Sequence, residues 1–336
     1  MGRDNAKTRE VLSLDMVMIA PNQNNNRCSE TTSVFSLIIF VVFFIAHPLT
    51  GFSKTPEFDG NSAFTFLYKQ CAMGPRIPGS ETHASAVKDF QDWFDRCGGS
   101  VTLQEFNADV HVSYKSGSET QELEGINVIA RFGPVGRPDY LLCAHYDTRP
   151  WADKDEDPEN RMTPISGAND GASGVAVLLE MARIFAAEPP PLTIEIVLFD
   201  IEDSGVSGNN ESYCLGSAYY AKHYAGSAPP GAVLLDMIGD TDLEIPIEYF
   251  SFAYAKDWTN YMFDLAEKVG SEAFVDDIGV PMYDDHVNLI RNGIPTVNFI
   301  DFDYPYWHTL EDTPDKCSPE SLEQVGRVLV ELIYGN

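Results

Sequence analysis

The sequence predicts an α/β protein: a three-layer sandwich with a mostly parallel, mixed central β-sheet flanked by helices. Three observations predict it. Apolar runs at 140–144, 192–199, 232–238 and 296–300 are nearly continuous, as in strands covered on both faces, and lack the alternation of a half-exposed sheet. Helical patterns alternate with them at 172–187, 217–224, 256–269 and 319–334. Acidic and histidine side chains follow directly on these runs, where open α/β sheets bind their ligands.

From the amino end, residues 34–46 (VFSLIIFVVFFIA) are almost wholly apolar. As a helix they rise only about 20 Å, short for a hydrocarbon layer of about 30 Å, so a signal-peptide core fits better than a full span. Against this, Arg27 is the one nearby cation and the polar stretch 1–33 is long for a signal's first region; a start at Met16 or Met18 would shorten it. The alternative is an uncleaved anchor running on to Phe52, and in either case the chain leaves the cytoplasm. Residues 1–52 therefore read as an extension with a signal or anchor, and 53–336 as one catalytic domain whose first residues are a linker.

Helices are expected at 62–72 and 81–97, split by the turn-rich stretch 74–79 (GPRIPG). Strands follow at 101–106 and 126–132, then the alternating elements above. Three consecutive prolines at 189–191 end the helix at 172–187. No repeat or low-complexity segment interrupts the pattern.

Composition narrows the function. With 44% hydrophobic residues the chain can bury a full core, and 51 acidic against 22 basic residues give a formal charge of −29. Such a field repels phosphate backbones, which argues against nucleic acid, and favours cationic ligands such as a peptide's free α-amine. Solubility alone also accounts for it. The six cysteines include no CxxC pair, against a thiolate zinc cluster; one bridge, Cys71 to Cys97, is a candidate.

The chemistry collects at strand ends. The run 140–144 leads into His145-Tyr146-Asp147, 192–199 into Asp200-Ile201-Glu202-Asp203, and 232–235 into Asp236. The run 296–300 leads into Asp301 and then Trp307-His308, and Asp170 stands just before the helix at 172. Taken singly, Asp170 reads equally as a helix N-cap, His308 as a loop histidine and Asp236 as a strand-end hydrogen bonder. Taken together, several converging carboxylates need a cation or shared protons, and carboxylate with imidazole suits zinc.

The motifs HYDT (145–148), GANDGASGVAVLLEMAR (167–183), FDIED (199–203), LLDMIGD (234–240), DDHVNLIRNGIP (284–295) and WHTLEDT (307–313) resemble, in order, the zinc aminopeptidase superfamily that includes glutaminyl-peptide cyclotransferases, bacterial ones especially. The resemblance implies a zinc exopeptidase-like fold, with Asp170, Asp203 and His308 as zinc ligands and Glu202 as general acid/base. It also implies roles for Asp236 and Asp284 in orienting the amine and leaving group, and peptide substrates with a free N-terminus.

Two chemistries share this superfamily: hydrolysis of an N-terminal residue with two zincs, and cyclisation of N-terminal glutamine to pyroglutamate with one. His145 and Asp236 complete a formal two-metal set, which does not decide between them. Trp307 before His308, Asp284 in the Asp284-Asp285-His286 triplet, Arg76 to Ser80 and Cys214 to Ser217 resemble cyclases. Departures from animal cyclases are Asp203 in place of Glu, Asn298 in place of a histidine, and no tryptophan after Glu202-Asp203, where Tyr213 or Trp151 could serve as pocket wall. A catalytically idle receptor-like domain is the remaining alternative.

Overall fold

The computed structural model of the protein describes residues 55–335. The apolar run at 34–46, expected as a signal or anchor, and Cys28 lie outside the described residues. No described helix is long and apolar enough to cross a membrane.

The described elements run α1 (Gly60–Met73), α2 (Glu81–Arg96), β1 (Ser100–His111), β2 (Thr120–Phe132), β3 (Tyr140–His145), α3 (Ala172–Ala187), β4 (Ile194–Phe199), α4 (Leu215–Lys222), β5 (Gly231–Asp236), β6 (Ile245–Ile247), α5 (Tyr249–Tyr254), α6 (Lys256–Val269), β7 (Phe274–Ile278), α7 (Asp285–Arg291), β8 (Thr296–Ile300) and α8 (Pro319–Tyr334). Six strands form one sheet in the order β1-β2-β4-β3-β5-β8. β1, β2 and β4 are antiparallel neighbours, whereas β4, β3, β5 and β8 are parallel. This is the expected mixed, mostly parallel sheet.

Both faces of the central strands are buried because successive side chains point to opposite sides. Leu142, Ala144, Leu198, Val233 and Phe299 join a core with α1, α2, α3, α6 and α8. Leu141, Cys143, Val197, Phe199 and Leu234 face the other way, against Tyr220 of α4 and Leu289 of α7. The near-continuous apolar runs follow from this double burial.

Helix α3 lies deepest, with thirteen of its sixteen residues buried. Gly174 permits this approach, since a Cβ there would stand 2.3 Å from the Leu235 carbonyl oxygen. The helix starts after Gly171 at φ 98°, where a Cβ would meet the Asp147 carbonyl at 2.7 Å. The glycines of the 167–174 stretch thus let Asp170 sit against the ends of β3 and β5.

Some expectations are corrected. Cys71 and Cys97 are free thiols. Cys71 hydrogen-bonds toward Ser166 beside Arg76, and Cys97 lies near Arg183 and Glu180, so the two face different neighbours. The strands expected at 101–106 and 126–132 are longer, forming a hairpin paired from Ser100–Arg131 to His111–Thr120. The short elements β6, β7, α5 and α7 have no counterpart among the elements the sequence predicts.

Candidate active site

The carboxyl ends of β3, β4, β5 and β8 lie at one edge of the parallel strands, and the start of α3 meets them there. Asp170, Asp203 and His308 offer ligand atoms that lie within 4.8 Å of one another, as do those of His145, Asp170 and Asp236. Asp170 belongs to both groups. Its Oδ1 is 3.2 Å from His145 Nε2, and its Oδ2 is 3.6 Å from His308 Nε2. His308 Nε2 is also 3.2 Å from Asp203 Oδ1, and His145 Nε2 is 3.2 Å from Asp236 Oδ1.

This donor set fits a divalent cation on its own chemistry. Asp170 Oδ2 and Asp203 Oδ2 are buried carboxylate oxygens without a hydrogen bond among the described residues. Buried anionic oxygens left that way are costly unless a cation or proton compensates them. The Asp203 charge pushes the His308 pKa up against the opposing effect of burial, and the carboxylates around His145 push its pKa well up. A bound cation would take over that neutralising role, leaving each imidazole free to coordinate as the neutral ring.

Three carboxylates outside the predicted set hold the loops that carry this cluster. Asp147 accepts the backbone N–H of Glu202 at 3.0 Å and of Asp203 at 3.2 Å. Asp312 does the same for Asn169 at 2.8 Å and Asp170 at 3.2 Å, and also accepts the Tyr304 hydroxyl at 2.9 Å. Asp153 Oδ1 lies 3.3 Å from His308 Nδ1 and accepts from Arg149 Nε at 2.7 Å, which orients the far side of the ring. Arg149 Nη1 further donates to the carbonyls of Asp203 and Gly205 at 2.8 and 3.1 Å. Fully buried Arg76 ties Tyr146, Ser166 and Gly167 together through their carbonyl oxygens. The 76–80 motif is therefore a structural clamp behind the site. HYDT and WHTLEDT contain Asp147 and Asp312, but a carboxylate whose partners are backbone amides leaves no spacing pattern to read.

The backbone is strained at the same place. Among the described residues, the non-glycine positions with positive φ are Ile201 (53°), Cys214 (58°), Met237 (48°) and His308 (55°). Each is a site residue or the chain neighbour of one. Such conformations cost about 1–3 kcal/mol each and persist where surrounding contacts over-determine them.

A cavity of about 340 Å³ opens over the cluster. Glu202, Asp236, Asp284, Tyr213 and Trp307 line it together with Asp170, Asp203 and His308. Trp307 stacks on the His308 ring with centroids 3.9 Å apart. Glu202 Oε1 accepts from the Cys214 thiol at 3.1 Å. Burial and the adjacent Asp203 charge push the Glu202 carboxyl well up. Burial and Asp236 raise Asp284 to about 6. Asn298 Nδ2 donates to Asp284 Oδ2 at 2.7 Å.

Two expected pocket residues are placed differently. Trp151 is 4% exposed and is not a wall of the cavity; its ring packs on the Arg149 guanidinium at 5.3 Å, while Tyr213 is the cavity residue that meets that same guanidinium. Asn298 is fully buried behind Asp284 and acts on the cavity only through it.

The sequence profile of Peptidase family M28 matches residues 127–333, more than half of the chain. The chain belongs to peptidase family M28. Among solved structures, the Bacteroides thetaiotaomicron glutaminyl cyclase bound to N-acetylhistamine is 34% identical, with a TM-score of 0.78 over 84% of this chain and 100% of its own. A Zn-dependent exopeptidase from Parabacteroides distasonis ATCC 8503 is 31% identical, with a TM-score of 0.78 over 84% of this chain and 100% of its own. Aminopeptidase YwaD of Bacillus subtilis (strain 168) is 28% identical over 250 residues, 70% of this chain and 49% of YwaD. The chain thus spans about half the length of that curated relative. The likeness to bacterial glutaminyl cyclases read from the motifs, and the zinc exopeptidase-like fold, are both borne out.

Proposed function

We propose that this M28 protein is a glutaminyl-peptide cyclotransferase, closing the N-terminal glutamine of peptides or proteins to pyroglutamate with release of ammonia. The observation that carries the reading is the set of three acids around one cavity. Glu202 stands beside the metal-type cluster, and Asp236 and Asp284 form a second acidic pole. Asp284, at about 6, can share a proton with Asp236. Cyclisation needs a proton moved from the α-amine to the departing nitrogen, and it needs both nitrogens held; three carboxyls in different protonation states suit that task. The 34% identity to a glutaminyl cyclase over 84% of the chain adds support.

Zinc held by Asp170, Asp203 and His308 would supply electrophilic polarisation of the γ-amide carbonyl. Glu202 accepts a proton as the α-amine nitrogen bonds to the carbonyl carbon of the γ-amide. It returns that proton to the amide nitrogen as the carbon–nitrogen bond breaks and ammonia leaves. Asp236 and Asp284 orient the amine and the leaving nitrogen, with Asn298 fixing Asp284. Trp307, held against His308, walls the side-chain methylenes of the glutamine and excludes water. One zinc is expected for this chemistry, and the apolar run at 34–46, read as a signal or anchor, would take the protein out of the cytoplasm.

A second reading is a two-metal aminopeptidase, favoured by one observation: Asp170 faces both His145 and His308 with separate oxygens. Incubation with glutaminyl and leucyl peptides separates the two readings. Ammonia and pyroglutamyl peptide from the first support cyclisation; free leucine from the second, with no ammonia, replaces it with hydrolysis.

A further inference from the structure

Helix α5 carries more aromatic surface than its packing uses. Tyr249, Phe250, Phe252 and Tyr254 fall within six residues, yet Ser251 is the residue this helix buries. Tyr249 and Tyr254 are 46% and 70% exposed. Clustered exposed apolar surface on a strongly charged protein marks a place where something binds.

The helix is firmly held. Glu248 caps it by accepting from the backbone N–H of Phe250 and Ser251 at 2.9 and 2.7 Å. Ser251 Oγ accepts from the Asn298 backbone N–H at 3.0 Å, and Asn298 is the residue that holds Asp284. The aromatic helix is thereby tied through two hydrogen bonds to a carboxyl of the active-site cavity.

Between α5 and α7 runs a groove of about 410 Å³ lined by Phe250, Tyr254, Tyr283, Val287, Ile290 and Arg291. Tyr283 also lines the active-site cavity, so one ring forms a wall of both. Arg291 fixes that wall, donating to the Tyr283 hydroxyl at 3.2 Å with its guanidinium 5.2 Å from the ring centroid. Arg291 is also the one charged residue lining the groove.

We propose that this groove is a subsite for a large apolar side chain of the substrate peptide, carried by one of the residues that follow its N-terminal residue. The proposal rests on the reading that the cavity processes a peptide N-terminus. With the first residue inside, the rest of the peptide leaves through the cavity mouth, and the groove begins on the other side of Tyr283. The substrates favoured are those with Phe, Leu or a similar side chain shortly after the processed residue.

The test uses the full chain and four tetrapeptide amides: Gln-Ala-Ala-Ala and its single Phe replacements at the second, third and fourth positions. Ammonia and free amino acid are both measured, so the preference is scored whichever product forms. At one position Phe should raise kcat/KM by about 3- to 12-fold over alanine, half the burial gain of such a side chain because the groove is open on one side. In Tyr254→Ala and in Ile290→Asp that ratio should fall toward one. A ratio taken within one protein is unaffected by the fraction that folds.

A ratio near one at all three positions in the unaltered protein overturns the subsite. So does a preference that both variants leave intact, or concentration-dependent dimerisation abolished by Tyr254→Ala without any peptide preference. Release of amino acid without ammonia overturns the cyclase reading instead, and the Phe-to-Ala ratio still judges the groove.

Discussion

Replacing Glu202 by Gln tests the proton-transfer role with the least disturbance to the rest of the site. The side chain keeps its size, and its carbonyl oxygen can still accept from the Cys214 thiol that now reaches Oε1 at 3.1 Å. The backbone amides of residues 202 and 203 stay on Asp147, so Asp203 keeps its place in the metal-type cluster. What is removed is the ability to take and return a proton. General acid/base catalysis contributes about 10²–10⁴-fold, or roughly 3–5 kcal/mol of barrier. Asp284 has a ligand-type oxygen within 4.8 Å of one from Glu202 and titrates near 6, so it offers a partial substitute. The expected fall in kcat therefore lies toward the lower part of that range, about 10²–10³-fold. Ammonia release from a glutaminyl peptide gives the rate, and elemental analysis of the same sample gives the metal. Zinc content should match that of the unaltered protein. Turnover within tenfold of the unaltered protein removes Glu202 from the mechanism, and loss of zinc along with turnover assigns it to the metal site.

Other consequences follow from single contacts. Asn298→Ala removes the donor to the Asp284 carboxylate, which favours its charged form; the Asp284 pKa should rise above about 6, moving the acidic limb of the kcat profile to higher pH, and an unmoved limb refutes the coupling. Burial alone would raise Glu248, but its bonds to His286 and to backbone amides hold it at about 2, below its ordinary 4.5. A depressed folded pKa contributes stability above about pH 4.5 that is lost as pH falls toward 2, worth about 3 kcal/mol; Glu248→Gln should lower Tm at pH 7 and flatten its decline between pH 5 and 3, and parallel curves for the two proteins contradict this. Gly174→Ala forces a methyl to 2.3 Å from the Leu235 carbonyl and should cost about 1–3 kcal/mol by denaturant unfolding; an unchanged midpoint means that α3 lies farther from β5 than described.

Much of this architecture is legible in the sequence because burial on two faces writes an unmistakable pattern. The helices at 172–187, 256–269 and 319–334 and the strand at 296–300 have the same limits in the structure. The first has a buried surface nearly all round, and the other two helices carry strong one-sided apolar stripes. The outer ends of β1 and β2 leave only a faint trace in the sequence because the hairpin there is mostly exposed and polar, with Val110 its one buried large side chain. β6, at three residues, is too short for any period to register. At the site, Asp170, Glu202, Asp203, Asp236, Asp284, Trp307 and His308 do converge around one cavity, whereas the strand-end acids Asp200 and Asp301 turn away, to His83 and to the Glu244 amide. The carboxylates that hold the converging residues, Asp147, Asp153 and Asp312, bind backbone amides or the back of a ring, and those partners become visible only in three dimensions. Trp151 shows the converse error: an aromatic close to a motif in the chain packs beneath Arg149, outside the cavity.

Zinc titration of the metal-stripped full chain puts the central claim at direct risk. Activity should return in proportion to zinc and reach its plateau at one equivalent, with ammonia and pyroglutamyl peptide as products, and Asp203→Ala or His308→Ala should abolish the tight equivalent. A protein that retains no zinc, or one whose activity needs a second equivalent and releases an amino acid, contradicts the account.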